Sequence, residues 1–149
     1  MAVIGSGLYV ATEVDIKDAT QLAANYVTGA NKGAIFTNVL TPNFDTDQSY
    51  AVAPYAANEL PTAGGYTAGG KLLPGQTFGL LSTGIISYSF TPLSWNPATW
   101  GAIARCLVCY LDPLAPKRVY FLWDFGQDYD AGGIFTITPP PEGAYQIHV

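Results

Sequence analysis

The sequence predicts an all-β protein: an antiparallel β-sandwich, or a barrel-like domain, with one short peripheral helix near the N-terminus. Short apolar or alternating segments follow one another closely in the second half of the chain. The 16 glycines and 11 prolines separate these segments as turn residues do. The sequence also lacks the regular strand–helix alternation of a parallel α/β sheet. At 149 residues, the chain is expected to form a single domain, 1–149.

The one predicted helix lies within residues 12–30 and follows a segment, 1–11, that we expect to form an extended N-terminal arm. Asp18 or Thr20 can cap the helix, because their side-chain oxygens can accept bonds from free backbone amides. The apolar residues that follow have helical spacing, and Gly29 suits the C-terminal end.

The remaining elements are predicted to be strands joined by turns. Residues 84–95 alternate between apolar and polar side chains, whereas 101–112 are apolar on both faces and therefore predict a central strand. Residues 41–63 are rich in turn formers and predict a long loop. The predicted strands are 34–40, 65–73, 76–82, 84–95, 101–112, 119–126, 133–139 and 144–149. The predicted turns are 96–100, 113–118 and 127–133.

The composition predicts a soluble protein with an unusually neutral surface. Charged residues make up 11% of the chain, against about 25% in an ordinary soluble domain. The net charge is −5 with only 6 basic residues, which argues against nucleic acid and anionic membranes as partners. No apolar run is long enough for a membrane helix, and the N-terminus makes a poor signal peptide. Neutral, apolar surface of this kind often lies against other protein chains.

A glycine-rich segment, Gly65–Lys71, fits the start of the phosphate-binding loop pattern. Leu72 follows the lysine, where Mg²⁺ binding needs a hydroxyl, and Pro74 and Gly75 stand where a helix should begin. We therefore interpret the segment as a turn followed by a strand. Its glycines are expected to supply positive φ angles and to let another backbone approach closely. They are Gly64, Gly65, Gly69 and Gly70.

The two cysteines, Cys106 and Cys109, form a C-x-x-C pattern within a predicted strand. An offset of three residues in a strand places the thiols on opposite faces, so they can neither bridge nor share a metal. The only histidine, His148, lies next to the C-terminal residue. We therefore expect two inert buried thiols and neither a redox nor a zinc site.

Acidic residues cluster near two predicted turns. Asp124-Phe125-Gly126 matches the metal-binding triplet of protein kinases, but the other kinase motifs are lacking and we read a strand ending in a turn. Asp124 could instead gather with Asp128 and Asp130 around Ca²⁺, although the closing glutamate of a calcium loop is missing. Asp45 and Asp47 carry the same ambiguity. Aspartates in turns more often bond their own backbone, so no metal or cofactor is predicted.

Candidate catalytic residues are few. Catalytic triads need a base held beside a nucleophile, which the terminal His148 does not suggest. Glu13, Glu59 and Glu142 lie in different predicted loops or caps. Their positions neither exclude nor support a catalytic pair of carboxylates. Trp95, Trp100 and Trp123 could line a carbohydrate-binding face, but tryptophans more often fill β cores and interfaces. We therefore predict no enzymatic activity and no catalytic residues.

From about residue 56 onward, a series of short motifs follows in a definite order. They are Asn58-Glu59, Gly65–Gly70, Trp95, Ala98-Thr99, Ala104-Arg105, Asp124–Gly126 and Gly133–Ile137. This order resembles a family of small virion structural proteins of tailed bacteriophages. Each motif alone is weak, whereas their order and spacing are moderately specific. The segment 98–109 with its cysteines and the turn 139–143 depart from the family pattern, as does the N-terminal segment.

The resemblance implies a non-enzymatic virion role, with capsid decoration as the leading version. The partner would be the major capsid protein or another virion structural protein, and the chain, made in the host cytoplasm, would end on the capsid exterior. Self-association is expected, for example as a trimer at a lattice axis, and the apolar part of the N-terminal arm, Met1–Val10, is expected to order only on assembly. A tail or head–tail junction protein is the second version, and a carbohydrate-binding β-sandwich module is the alternative of another class.

Overall fold

A computed structural model describes residue 3, residues 5–18, residues 24–27 and residues 29–149. Helix α1 spans Val10–Lys17, and the one-turn helix α2 spans Tyr55–Asn58. The strands are β1 (Gly7–Leu8), β2 (Lys32–Phe36), β3 (Lys71–Leu72), β4 (Thr77–Ser82), β5 (Ile85–Ser89), β6 (Leu93–Ala98), β7 (Ile103–Leu111), β8 (Arg118–Asp130), β9 (Gly133–Ile137) and β10 (Tyr145–His148).

The strands form three antiparallel sheets. The largest has the order β1-β8-β7-β2-β3, and the smaller two have the orders β10-β5-β4 and β6-β9. Every strand pair that the structure describes is antiparallel. The prediction of an all-β, sandwich-like domain with a short N-terminal helix is therefore confirmed.

The core lies on both faces of the five-stranded sheet, and β7 shows how. Its residues alternate between two apolar clusters, so that Leu107 and Cys109 face one side while Cys106 and Val108 face the other. The first cluster also contains residues of β5, β6 and β9, and the second contains Val3 and residues from the loops around the helices. β7 is thus buried on both faces, as its uninterrupted apolar sequence predicts.

The helix differs from the prediction because tertiary contacts decide where it lies. It begins at Val10, and Asp18, expected to start it, follows its last residue. The Thr12 hydroxyl donates a 2.6 Å hydrogen bond to the Val119 carbonyl, and this contact fixes the helix on β8. Tyr26 is not helical, and its ring packs 5.0 Å from that of Tyr120. The alternative cap, Thr20, lies outside the described residues.

Three of the predicted strands and turns differ from the structure. The segment 84–95 forms two strands, β5 and β6, because Pro92 in the middle has no amide for a sheet bond. β6 then continues through part of the predicted turn 96–100, and β8 continues to Asp130 through the predicted turn 127–133. This extension of β8 is held by pairing with the start of β7, where Ile103 faces Asp130.

The N-terminal segment is not a free arm where the structure describes it. Val3 is buried, and β1 pairs with β8 so that Gly7 faces Leu122. The lack of a side chain at Gly7 also leaves room for the ring of Phe44, which a Cβ there would meet at 2.9 Å. The described part of the N-terminal segment therefore packs against the domain at Val3 and β1, and the ordering of residues 1–10 on assembly stays a prediction. Within the described part of the chain, no helix is long and apolar enough to cross a membrane.

Candidate functional site

Glu59, one of the residues that carry the resemblance, lies at the centre of a hydrogen-bonded cluster. Glu59 Oε1 accepts bonds from the Tyr66 hydroxyl at 2.5 Å and from the Gly69 amide at 2.6 Å, and Oε2 accepts one from the Tyr50 hydroxyl. Burial raises the pKa of Tyr66, and the negative Glu59 beside it raises it further, so Tyr66 remains a proton donor. We call Glu59, Tyr50, Tyr66 and Gly69 the Glu59 cluster. It ties the glycine-rich turn to the loop before it.

The glycines of this turn have the predicted role. All four of them adopt positive φ angles. A Cβ on Gly64 would lie 2.2 Å from the Thr99 backbone, and one on Gly70 would lie 2.0 Å from the Gly33 carbonyl oxygen. The close approach of another backbone, predicted from the sequence, is therefore confirmed at both positions.

The segment that resembles a phosphate loop has the wrong electrostatics for an anion. The Gly69 amide, which would face a phosphate, binds the Glu59 carboxylate instead. Lys71 donates a 2.7 Å bond to the Ser94 carbonyl and lies 5.4 Å from the centre of the Trp95 ring. A strand, not a helix, follows the loop. The interpretation of the segment as a turn followed by a strand is confirmed.

Asp124 and Asp128 face an arginine rather than a metal site. Arg105 Nε lies 2.8 Å from Asp124 Oδ1, and Arg105 Nη1 lies 3.5 Å from Asp128 Oδ1. The hydrogen bond to Asp124 raises the pKa of Arg105, so the guanidinium stays charged. Among the described residues, no three acidic, histidine or cysteine side chains are placed to hold a metal. Asp124 and Asp128 therefore form ion pairs with Arg105 in this structure.

The second pair of aspartates organises its own loop. Asp47 Oδ2 accepts bonds from the Asn43 amide at 2.7 Å and from the Tyr55 hydroxyl at 2.8 Å. The Asp45 amide donates to Asn43 Oδ1 at 3.1 Å. Both aspartates thus lie in a turn closed by side-chain-to-backbone bonds, which is the usual role of such residues.

The cysteines lie as the sequence predicts. Cys106 and Cys109 are free, fully buried and in clusters on opposite faces of β7. Burial raises the pKa of both thiols well above the ordinary value, so neither forms a reactive thiolate near neutral pH.

The candidate catalytic groups contact structural partners. The Tyr26 hydroxyl donates a 3.0 Å bond to Glu13, and Glu59 belongs to the cluster above. His148 lies in β10 opposite Ile85, and Glu142 lies in the exposed turn before that strand. No bond that the structure describes joins a nucleophile to a base among these residues.

The tryptophans do not form an exposed row. Trp95 and Trp100 are buried, and only Trp123 reaches a surface groove of about 420 Å³. The groove lies between the end of β8 and β9, and Ile134 on its rim is 69% exposed. We call it the aromatic groove, and its apolar lining is Trp123, Phe125, Tyr129, Ile134, Phe135 and Ile137.

The largest departure from an ordinary soluble surface is β4. All six of its residues, Thr77–Ser82, are exposed, and Leu80 is 79% accessible. No charged residue and no histidine occurs between Lys71 and Arg105, so β4 lies within a long uncharged part of the chain. We call Thr77–Ser82 the neutral edge. The sequence predicts this strand but not its exposure, although the lack of charged residues around it is visible in the sequence.

No family model, no curated protein and no solved structure matches the chain.

Proposed function

We propose that this protein is a non-enzymatic structural component of a tailed-phage particle, a decoration protein that binds the major capsid protein on the outside of the capsid. The observation that carries the proposal is the low charge of the whole chain, 11% charged residues, which leaves uncharged surface such as the neutral edge available for contact with other chains, whether capsid protein or a second copy. Such a surface is stabilised by contact with other chains. The order of motifs that resembles virion proteins supplies the particular setting.

The polar residues support a binding role over catalysis. Most described carboxylates are held by partners that fix the fold, as Asp112 is by Lys32 and Lys117. A general acid or base must instead be free to exchange a proton with a substrate. The carboxylates with such partners are Glu13, Asp15, Asp47, Glu59, Asp112, Asp124 and Asp128.

The proposal is tested on particles of the phage that encodes the chain. Mass spectrometry of purified virions should detect the protein, and a cryo-EM map should show a β domain of this shape on the capsid shell. Capsids without the protein should bind it when it is added back and should gain heat resistance. Its absence from purified virions would overturn the proposal, and density at the tail or neck would favour the junction version.

A carbohydrate-binding module is the second candidate, and the aromatic groove is the observation that favours it. Sugar rings stack on aromatic side chains, and Trp123, Phe125 and Phe135 line this groove together with Thr136 and Thr138. A glycan array with the purified protein tests this candidate. Binding that is lost in Trp123→Ala but retained in Val39→Ala, a change at an exposed residue that does not line the groove, would support it.

A further inference from the structure

We propose that two copies of this chain pair through the neutral edge, β4 against β4, to form an antiparallel dimer with a continuous six-stranded sheet. The strand order β10-β5-β4 leaves β4 at the end of its sheet, where its only strand neighbour among the described residues is β5. One side of its backbone is therefore available for sheet bonds to another chain. Self-association is expected of a virion protein, so the dimer rests in part on the proposed function. It differs from the trimer that this role suggests.

The first part of the neutral edge, Thr77–Leu80, lacks the usual protection against pairing. Edge strands of soluble proteins are commonly blocked by lysine, proline, an inward-facing charge or a β-bulge. Thr77–Ser82 contains no lysine, proline or charge, and its one bulge-like register shift comes after Leu80. The regular part, Thr77–Leu80, remains suitable for a new ladder.

Charge favours a second copy as the occupant. Each chain carries a net charge of −5, so two copies repel over most of their surfaces. The side chains of Thr77–Ser82 carry no charge, so they make no like-charge contacts with one another when two copies pair through this strand. A charged partner would find no opposite charge on this strand, whereas the strand of a second copy is equally neutral and apolar.

The side chains are also complementary in one register. A twofold axis through Gly79 places Gly79 opposite its own copy and puts Phe78 of each chain opposite Leu80 of the other. Residues directly opposite in an antiparallel pair share a face, so both Phe–Leu pairs form on the same side of the sheet. Phe78 is 38% exposed and Leu80 is 79% exposed in the single chain, so both have area to bury.

The first test is the oligomeric state of the purified full-length protein, measured by sedimentation over a range of concentrations. The wild type should be a dimer, and Leu80→Lys should raise the dimer dissociation constant at least about tenfold. Val39→Lys is the matched control, because Val39 is 61% exposed and lies outside β4, and it should remain dimeric. A monomeric wild type, or a Leu80→Lys variant that dimerises as well as the control, would overturn the proposal.

The second test fixes the register and does not depend on weakening the dimer. Gly79→Cys should form a disulfide with its own copy when oxidised glutathione is added, since opposite Cα atoms in such a ladder lie about 4.5–5.5 Å apart. A Cβ on Gly79 meets nothing within 4 Å, so the variant should fold, and the native thiols are buried. Thr77→Cys, offset by about 13 Å in this register, should not cross-link. Equal cross-linking of both variants would overturn this register.

Both tests use the isolated protein. If these tests fail, the dimer is refuted, and capsid binding is still decided by the experiments on phage particles. If the protein is absent from particles, the capsid proposal is refuted and the dimer is not affected.

Discussion

Glu59 and Tyr66, seven positions apart in sequence, are joined by a 2.5 Å hydrogen bond from the Tyr66 hydroxyl to Glu59 Oε1. The same carboxylate receives the Gly69 amide and the Tyr50 hydroxyl. Tyr66 also accepts a 2.9 Å bond from the Ile35 amide of β2. The Tyr66 side chain thus connects the glycine-rich turn to the five-stranded sheet. The motif that resembles virion proteins therefore has a structural role in this fold.

We predict that Glu59→Gln lowers the free energy of unfolding by about 2 kcal/mol, the usual cost of losing hydrogen bonds to a charged group. A glutamine has one acceptor oxygen for three donors, and its amide group would face one of them. Urea unfolding followed by tryptophan fluorescence measures the change. Glu142→Gln, in an exposed turn, should change it by less than about 0.5 kcal/mol. Equal effects of the two variants would show that the Glu59 cluster is not stabilising.

We predict that Gly70→Ala is far more harmful than Gly101→Ala. The two glycines have nearly the same φ, +67° and +66°, so the strain from the backbone angle is matched. Only at Gly70 would the new methyl group lie 2.0 Å from a carbonyl oxygen, whereas at Gly101 it meets nothing within 4 Å. Gly101→Ala should cost about 1 kcal/mol and Gly70→Ala about 3 kcal/mol or more. Thermal and urea unfolding measure both, and similar losses would contradict the close approach to β2.

We predict that Asp112 contributes to stability at neutral pH but not in acid. Burial alone would raise the pKa of Asp112, but hydrogen bonds from Lys117 and Lys32 outweigh it and hold the pKa below the ordinary value. Because the folded pKa is the lower one, this stabilisation is full above the unfolded pKa of about 4 and is lost as the pH falls through the folded pKa. Asp112→Asn should therefore be less stable than the wild type at pH 7, and the difference should shrink below about pH 4.

Denaturant unfolding at a series of pH values checks this prediction. Asp45→Asn is the control, since Asp45 is exposed and only its backbone amide takes part in the bond to Asn43. A difference between wild type and Asp112→Asn that stays constant from pH 7 to acid would refute the role of the Asp112 carboxylate.

We predict that the thiols of Cys106 and Cys109 react with a thiol reagent only when the protein unfolds. Both are fully buried, and their raised pKa disfavours the reactive thiolate. Native protein should react at least about a thousandfold more slowly than the thiol of Val39→Cys, since Val39 is 61% exposed and lies outside β4. Rapid labelling of the wild type would mean that β7 opens locally.

The sequence predicts what depends on local pattern. Residues 101–112 are apolar throughout, and they form the central strand with its thiols on opposite faces. The close approaches at Gly64 and Gly70 also follow from glycine pairs in a turn. In each case the physical signal, a side-chain period or the lack of a Cβ, is contained within a few residues.

Features that depend on distant partners could not be predicted in this way. The helix lies on β8 through Thr12 and Val119, which are 107 positions apart, and this contact outweighed the capping potential of Asp18. The Arg105 pairing with Asp124 likewise requires the register of β7 on β8. The neutral edge is intermediate, because the sequence shows the missing charges while only the fold shows which strand is left at the end of a sheet.

Because β7 contributes to the packing on both sides of its sheet, it keeps little area for outside contacts, and adhesion is left to peripheral strands such as β4. The residues of the core and those of the peripheral strands can therefore change independently during evolution. A lineage could exchange the residues that choose its neighbours while the apolar interior that maintains the domain stays unaltered.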